Sequence, residues 1–191
     1  MGNTPVNRII FPSPKPPTYN KQHISLINVP KGSNESHGSI PCMYLPSLKP
    51  SAKIMIYYHG NAEDIGCTTD FLIPIRNKFN FHVLAVEYPG YGTYEGVTTS
   101  DKIKADCHII WKFLVDTISI DPEKIYVFGR SIGSGPAIHM GSCYDPAALM
   151  LFAPYTSIRD IAKDYTFLGG MIQERFNNAE SIKQVNSPIW F

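Results

Sequence analysis

The stretch of sequence that decides the fold is Ile125-Tyr126-Val127-Phe128-Gly129-Arg130-Ser131-Ile132-Gly133-Ser134-Gly135. Four apolar residues typical of a buried strand lead directly into Gly-Arg-Ser-Ile-Gly, and a run of small residues typical of a helix follows. This order predicts a sharp strand-turn-helix, a nucleophile elbow, that raises the hydroxyl of Ser131 above a sheet. We expect Gly129 and Gly133 to be required there, because a Cβ at either position would collide with the neighbouring strand and helix.

On both sides of this turn, apolar strands alternate with helix-forming segments. We predict buried strands at residues 54–58, 83–86, 125–128 and 148–152, and helices at residues 64–79 and 101–118. The strands are continuously apolar, which is typical of a parallel sheet covered by helices on both faces. Two further apolar runs, 23–29 and 39–45, flank a turn-forming stretch and predict an antiparallel hairpin at the start of the sheet. The fold class is therefore α/β.

Length and composition indicate one globular domain. A chain of 191 residues with 43% hydrophobic content suits a single substantial core. Five prolines between positions 5 and 17 disfavour helix, so we divide the chain into an N-terminal arm, residues 1–20, and a domain, residues 21–191. The chain stops at Phe191, inside what reads as one more strand, and we interpret the domain as lacking its last strands.

Charge and cysteine spacing predict a cytoplasmic protein without metal. The formal net charge is +1, and no nucleic-acid partner is expected. The four cysteines show neither a CxxC pair nor zinc-finger spacing, so we expect reduced, non-metal cysteines. No stretch approaches the roughly 18 apolar residues of a membrane span. Peripheral membrane contact stays open, since acylation of Gly2 would follow removal of Met1, although Val6 stands where that signal has Ser or Thr.

A second loop is expected to complete a site around Ser131. The segment His59-Gly60-Asn61-Ala62 directly follows the strand at 54–58, at the sheet edge where Ser131 should lie. Acyl transfer by serine needs hydrogen-bond donors aimed at the developing oxyanion. We predict these donors to be the backbone N–H groups of Ile132 and Asn61, the latter preferred over Ala62. Such chemistry requires no cofactor.

The histidines and acids of the chain do not supply obvious partners for Ser131. His59 precedes the serine, whereas the base of such a site comes last in chain order, so we interpret His59, with Gly60, as supporting the loop. We interpret Asp160 and Asp164 as surface charges on a helix. The remaining histidines are interpreted as structural: His23, His37, His82, His108 and His139. We therefore expect the aspartate and histidine of a catalytic triad to be absent from this chain.

An aromatic turn, Tyr88-Pro89-Gly90-Tyr91-Gly92, follows the strand at 83–86 at the same sheet edge. Tyr88 and Tyr91 are candidates for lining the site. Their interpretation as a packed turn is equally supported.

Taken together, Tyr58-His59-Gly60-Asn61-Ala62, Glu87-Tyr88-Pro89-Gly90-Tyr91-Gly92 and Gly129 to Gly135 resemble the alpha/beta-hydrolase-domain-containing protein 17 family, within the wider serine aminopeptidase-like hydrolases. The resemblance implies an alpha/beta-hydrolase fold and a serine hydrolase that removes palmitoyl groups from cysteine thioesters of membrane-bound proteins. It implies Ser131 as nucleophile and an acylated protein or lipid-like ester as substrate.

Two departures from the family pattern keep alternatives open. The family carries acylated cysteines near its N-terminus, whereas no cysteine precedes Cys42 here. In the family the catalytic aspartate and histidine follow the strand that begins at Pro188, and this chain holds neither. We expect negligible activity from the 191-residue chain. The alternatives are a non-catalytic pseudoenzyme that binds acylated proteins or lipids, and a peptidase or lipid esterase of the same fold.

Overall fold

A computed structural model describes residues 11–20, 24–32, 38–159 and 175–191. Within these ranges the strands form one sheet in the order β1-β2-β4-β3-β5-β6-β7. They are β1 (Leu26–Pro30), β2 (Ser39–Leu45), β3 (Ile54–Tyr58), β4 (His82–Val86), β5 (Ile125–Arg130), β6 (Ala148–Phe152) and β7 (Ile189–Trp190). The β1-β2 and β2-β4 pairs are antiparallel, and all other pairs are parallel. The predicted α/β class, with a mostly parallel sheet and an antiparallel hairpin at its start, is confirmed.

Helices cover both faces of the sheet. They are α1 (Thr69–Phe79), α2 (Ser100–Lys112), α3 (Ser134–Cys143) and the short α4 (Asn178–Ser181). Apolar residues of α2 and α3 pack with one face of the sheet, while Leu72 of α1 belongs to the core on the other face. This two-sided burial is the reason that the central strands are continuously apolar.

The two predicted helices exist, but their ends differ from the prediction. The first begins at Thr69 rather than at residue 64, because Asp64 caps a preceding 3₁₀ turn and accepts a hydrogen bond from Gly66 N at 3.1 Å. The second begins at Ser100, where the side chain of Thr99 accepts from Lys102 N at 3.2 Å. It then passes into a π-helical turn over Phe113–Thr117.

The described part of the N-terminal arm, residues 11–20, is attached to the domain. Phe11 and Tyr19 are buried. Thr18 donates two hydrogen bonds to the buried Asp64 carboxylate, one from its backbone N at 2.8 Å and one from its hydroxyl. The Tyr19 hydroxyl reaches the buried Glu87 carboxylate at 2.9 Å. This segment therefore forms part of the folded core rather than a detached extension.

None of the helices in the described ranges combines the length and apolar character needed to cross a membrane. The predictions for Gly2, His23, His37, Asp160 and Asp164 concern residues outside those ranges.

Candidate active site

Ser131 lies where β5 turns into α3. It opens a 3₁₀ turn, Ser131–Gly133, and its φ of +51° is a strained value for a residue with a side chain. The serine is exposed, and its carbonyl is held by the buried Ser134, whose hydroxyl donates to it at 2.7 Å. Within the described ranges the Ser131 hydroxyl has no hydrogen-bond partner. The turn therefore presents an open hydroxyl at the carboxyl edge of the parallel sheet.

The glycines on either side of Ser131 leave no room for a side chain. A Cβ on Gly129 would meet the carbonyl oxygen of Gly133 and would stand 2.7 Å from Ala137 Cβ. A Cβ on Gly133 would meet the carbonyl oxygen of Tyr58 and would stand 2.7 Å from that of His59. The collision predicted from the sequence is therefore present, with helix α3 in the first case and with β3 and its following loop in the second.

In the loop after β3, two backbone N–H groups donate hydrogen bonds to side-chain oxygens of the same loop. Gly60 N donates to Glu63 Oε1 at 2.5 Å, and Ala62 N donates to Asn61 Oδ1 at 3.1 Å. A backbone N–H that already donates within the loop cannot also bind an oxyanion. This argues against Gly60 and Ala62 as the second oxyanion donor beside Ile132. The backbone N–H of Asn61 stays our prediction for that donor. Ile132 lies in the first helical turn after β5, where backbone N–H groups lack intrahelical acceptors.

Glu63 also joins this loop to the elbow. Its second carboxylate oxygen accepts from Arg130 Nη2 at 2.9 Å, and Arg130 immediately precedes Ser131. The two halves of the proposed oxyanion site are thus connected through one ion pair. Sequence reasoning missed Glu63, since its partner lies 67 positions away and no local motif marks the pair.

His59 is fully buried, and both of its ring nitrogens are engaged. Nδ1 lies 2.9 Å from the carbonyl oxygen of Gly60, and Nε2 lies 2.9 Å from Glu87 Oε1. Glu87 accepts further hydrogen bonds from the backbone N of Tyr88 at 3.1 Å and from the Tyr19 hydroxyl. Both imidazole nitrogens thus face oxygen atoms, one of a backbone carbonyl and one of a carboxylate. His59 therefore has no ring nitrogen with which to accept a proton from Ser131.

Tyr88 and Tyr91 pack against the loop that follows β3. Both are buried, and their rings pack on His59 with centroid separations of 4.1 and 5.5 Å. The Tyr88 hydroxyl donates to the carbonyl oxygen of His59 at 2.8 Å, and that of Tyr91 donates to Asn61 Oδ1 at 3.2 Å. Burial raises the pKa of both phenols, so both hydroxyls stay protonated and act as donors. Of the two interpretations left open, the packed turn describes these contacts, and the rings do not line an open surface.

An apolar cavity of about 640 Å³ lies at the opposite end of the parallel strands from Ser131, where their amino ends are found. Its lining includes Ile54, His82 and Lys124, which stand at or just before the amino ends of three parallel strands. Ligands of open α/β sheets bind at the carboxyl ends of the strands. The cavity is therefore separate from the chemistry expected at Ser131.

Comparison with known proteins agrees with this geometry. No family model matches the chain. Over 156 residues it is 31% identical to alpha/beta hydrolase domain-containing protein 17B from Homo sapiens, covering 78% of this chain and 52% of that protein. The chain thus spans about half the length of this curated relative.

Solved structures with the same fold include two hydrolases. An alpha-beta hydrolase from Vibrio vulnificus matches with a TM-score of 0.68 at 18% identity, covering 78% of this chain and 58% of that one. An esterase from Pyrococcus furiosus matches with a TM-score of 0.67 at 17% identity, covering 93% and 73%. The chain therefore has the alpha/beta-hydrolase fold, and its resemblance to the alpha/beta-hydrolase-domain-containing protein 17 family is confirmed.

Proposed function

We propose that this protein is a serine hydrolase that cleaves acyl esters and thioesters through Ser131, with proteins palmitoylated on cysteine as its leading substrate. The observation that carries the proposal is the exposed Ser131, held at positive φ between Gly129 and Gly133, with the backbone of Gly133 against the carbonyl groups of Tyr58 and His59. Strained backbone conformations cluster at functional sites, so the strain at this exposed serine supports a role for its hydroxyl in contacting a substrate. The names of the similar proteins, alpha/beta hydrolases and an esterase, support the same reaction class.

The proposed reaction transfers the acyl group twice. Ser131 Oγ attacks the thioester carbonyl carbon while its proton passes to a histidine base, and the N–H groups of Ile132 and Asn61 stabilise the oxyanion. The C–S bond then breaks, the cysteine thiol leaves with the proton, and an acyl-Ser131 ester remains. Water hydrolyses that ester and releases the fatty acid. The base is not His59, because the carbonyl of Gly60 and the carboxylate of Glu87 occupy its ring nitrogens.

Palmitoylated proteins lie at membranes, so a peripheral membrane contact forms part of the proposal. The first 53 residues carry six basic side chains against the single acid Glu35, which suits an anionic lipid surface. Co-sedimentation of the protein with vesicles containing phosphatidylserine, compared with purely zwitterionic vesicles, tests this part separately from catalysis.

The first experiment is the intact mass of the protein from its natural source, followed by labelling with a fluorophosphonate. A mass near 21.4 kDa would match the 191-residue chain, and any acyl group on Gly2 would appear as added mass. If the natural protein is a serine hydrolase, the probe labels it rapidly and Ser131→Ala abolishes the labelling. Labelling that persists in Ser131→Ala would refute the assignment of Ser131 as nucleophile.

A substrate panel distinguishes the thioesterase from its alternatives. We expect the natural protein to cleave an S-palmitoyl peptide faster than a p-nitrophenyl ester or a peptide amide. Preference for the amide or for a glycerolipid would favour the peptidase or lipid esterase. For the 191-residue polypeptide alone we expect negligible turnover of p-nitrophenyl esters, since no histidine of the described residues hydrogen-bonds Ser131 and a serine hydrolase without its histidine base loses on the order of a millionfold in kcat.

The non-catalytic alternative is favoured by one specific observation. In the part of the chain that the structure describes, the Ser131 hydroxyl contacts no histidine, and the nearby His59 is engaged elsewhere. A pseudoenzyme would bind an S-palmitoyl peptide without turnover and would label slowly with the fluorophosphonate. Binding that is unchanged in Ser131→Ala, together with no hydrolysis by the natural protein, would establish this alternative.

A further inference from the structure

Two histidines and a cysteine meet on helices α2 and α3, away from Ser131. His108 belongs to α2, whereas His139 and Cys143 lie one helical turn apart on α3 and therefore share a face. His139 is eight residues beyond Ser131, in the middle of α3. The two histidines are partly buried and the cysteine is a free, exposed thiol, so the cluster opens to solvent on one side.

The donor atoms lie within reach of a single metal ion, all within 4.8 Å of one another. His108 Nε2 and His139 Nε2 are 3.3 Å apart, and Cys143 Sγ lies 3.9 Å from each ring nitrogen of His139. Zinc bond lengths in a tetrahedron require about 3.3 Å between two nitrogens and about 3.5 Å between nitrogen and sulfur. The observed nitrogen pair meets this requirement, whereas the sulfur lies a few tenths of an ångström too far from His139 and within 4.8 Å of the His108 donor atom, so binding requires Cys143 Sγ to move towards the two histidines.

A neighbouring side chain orients His108 for coordination. The Tyr144 hydroxyl lies 2.8 Å from His108 Nδ1, and the Tyr144 ring is stacked on Trp111 at 4.5 Å. A hydrogen bond from Nδ1–H to this oxygen leaves the lone pair of Nε2 pointing at the cluster, as an outer-shell partner does for most metal-bound histidines. Without metal, a proton on one of the two Nε2 atoms forms the 3.3 Å hydrogen bond between His108 and His139. A bound cation takes the place of that proton.

We propose that His108, His139 and Cys143 form a zinc site with three protein ligands and a solvent molecule in the fourth position. Imidazole and thiolate donors favour Zn²⁺ over Mg²⁺ or Ca²⁺, which prefer oxygen. The sequence shows no zinc motif, since the ligands stand 31 and 4 positions apart and come from two helices. Metal at this point would join α2 to α3, the helix that follows Ser131. The inference does not depend on the proposed hydrolase activity.

The test is direct metal binding by the 191-residue chain, purified in EDTA and then freed of chelator. We expect one Zn²⁺ per chain in a competition titration with a chromophoric chelator, and Co²⁺ in its place should give a thiolate charge-transfer band. Cys143→Ser and His139→Gln should each weaken Zn²⁺ binding by at least about tenfold, because loss of even an outer-shell partner costs 10- to 100-fold. Tyr144→Phe should weaken it by about tenfold.

Cys67 supplies a matched control, because it is also a free and exposed thiol but lies far along the chain from the cluster. Cys67→Ser should bind Zn²⁺ as the unmodified chain does. Bound Zn²⁺ should protect Cys143, but not Cys67, from iodoacetamide, and should raise Tm by binding only the folded state. The proposal is overturned if the chain takes up no Zn²⁺ at low micromolar concentration. It is also overturned if binding survives in the doubly substituted Cys143→Ser, His139→Gln chain, whose folding is checked by circular dichroism.

Discussion

Replacing Gly133 by alanine tests the packing on which the serine turn depends. The added Cβ would meet the carbonyl oxygen of Tyr58 and would stand 2.7 Å from the carbonyl oxygen of His59. Both obstacles are backbone atoms, one at the end of β3 and one in the loop that follows it, so neither can rotate aside as the end of a flexible side chain would. Overpacking typically costs 1–3 kcal/mol, and we expect Gly133→Ala to lose about 3 kcal/mol or more of unfolding free energy.

Gly141→Ala, on the helix α3 that follows this turn, is the control. Its Cβ would stand 3.4 Å from Leu149 Cδ2, an ordinary contact with a mobile side chain. Alanine favours a helix over glycine by about 1 kcal/mol, so this variant should be as stable as the unmodified chain or more stable.

The assay is urea and thermal unfolding followed by circular dichroism. A domain of this size loses roughly 2–4 °C of Tm per kcal/mol, so Gly133→Ala should unfold about 6–12 °C lower. Failure of Gly133→Ala to fold, with normal folding of Gly141→Ala, agrees with the reasoning. A Gly133→Ala chain within about 1 kcal/mol of the unmodified one, or an equal loss in Gly141→Ala, would refute it.

Three further predictions follow from single contacts. Ser131→Gly should be more stable to urea than Ser131→Ala by about 1 kcal/mol, because only glycine adopts a φ near +51° without strain; equal stabilities would argue against strain at this turn. Tyr19→Phe removes a donor from the buried Glu87 and should cost about 1–3 kcal/mol in urea unfolding while exposing the arm to limited proteolysis; unchanged stability would count against the arm as part of the core. Burial lowers the pKa of His139 to about 4 from 6.5, so the unfolded chain binds this proton more readily. In EDTA, the free energy of unfolding should therefore fall as pH drops from about 6.5 towards 4, and His139→Gln should lose that part of the pH dependence; an NMR titration midpoint for His139 near 6.5 would contradict this.

Local sequence pattern was enough for the strands and for the turn that carries Ser131. The strand predicted at residues 148–152 is β6, and the other central strands differ from the prediction by at most two residues at an end. A continuous apolar run can be buried on both sides only in a covered parallel sheet, so the pattern alone indicates the class. The flanking glycines were predictable for a similar reason, since strand-turn-helix geometry leaves no space for a Cβ on either side.

The ends of the helices could not be located in this way. The sequence is compatible with a helix from residue 64, but the Asp64 side chain hydrogen-bonds Gly66 N and Thr18 and holds a 3₁₀ turn there instead. One of these partners lies 46 positions away. The periodicity of an isolated segment carries no information about such a contact.

The polar contacts around the site likewise depend on the order of strands in the sheet. His59 meets Glu87 because β3 and β4 are parallel neighbours that end at the same edge, and Glu63 meets Arg130 because β5 flanks β3 on the other side. The cluster of His108 with the α3 residues arises in the same way, from two helices packed side by side. A motif reports residues that are close along the chain, whereas these groups become neighbours only when separate elements pack. The proposed nucleophile, Ser131, and the glycines beside it could thus be predicted from sequence, while the groups that brace the site and the proposed metal ligands required the folded chain.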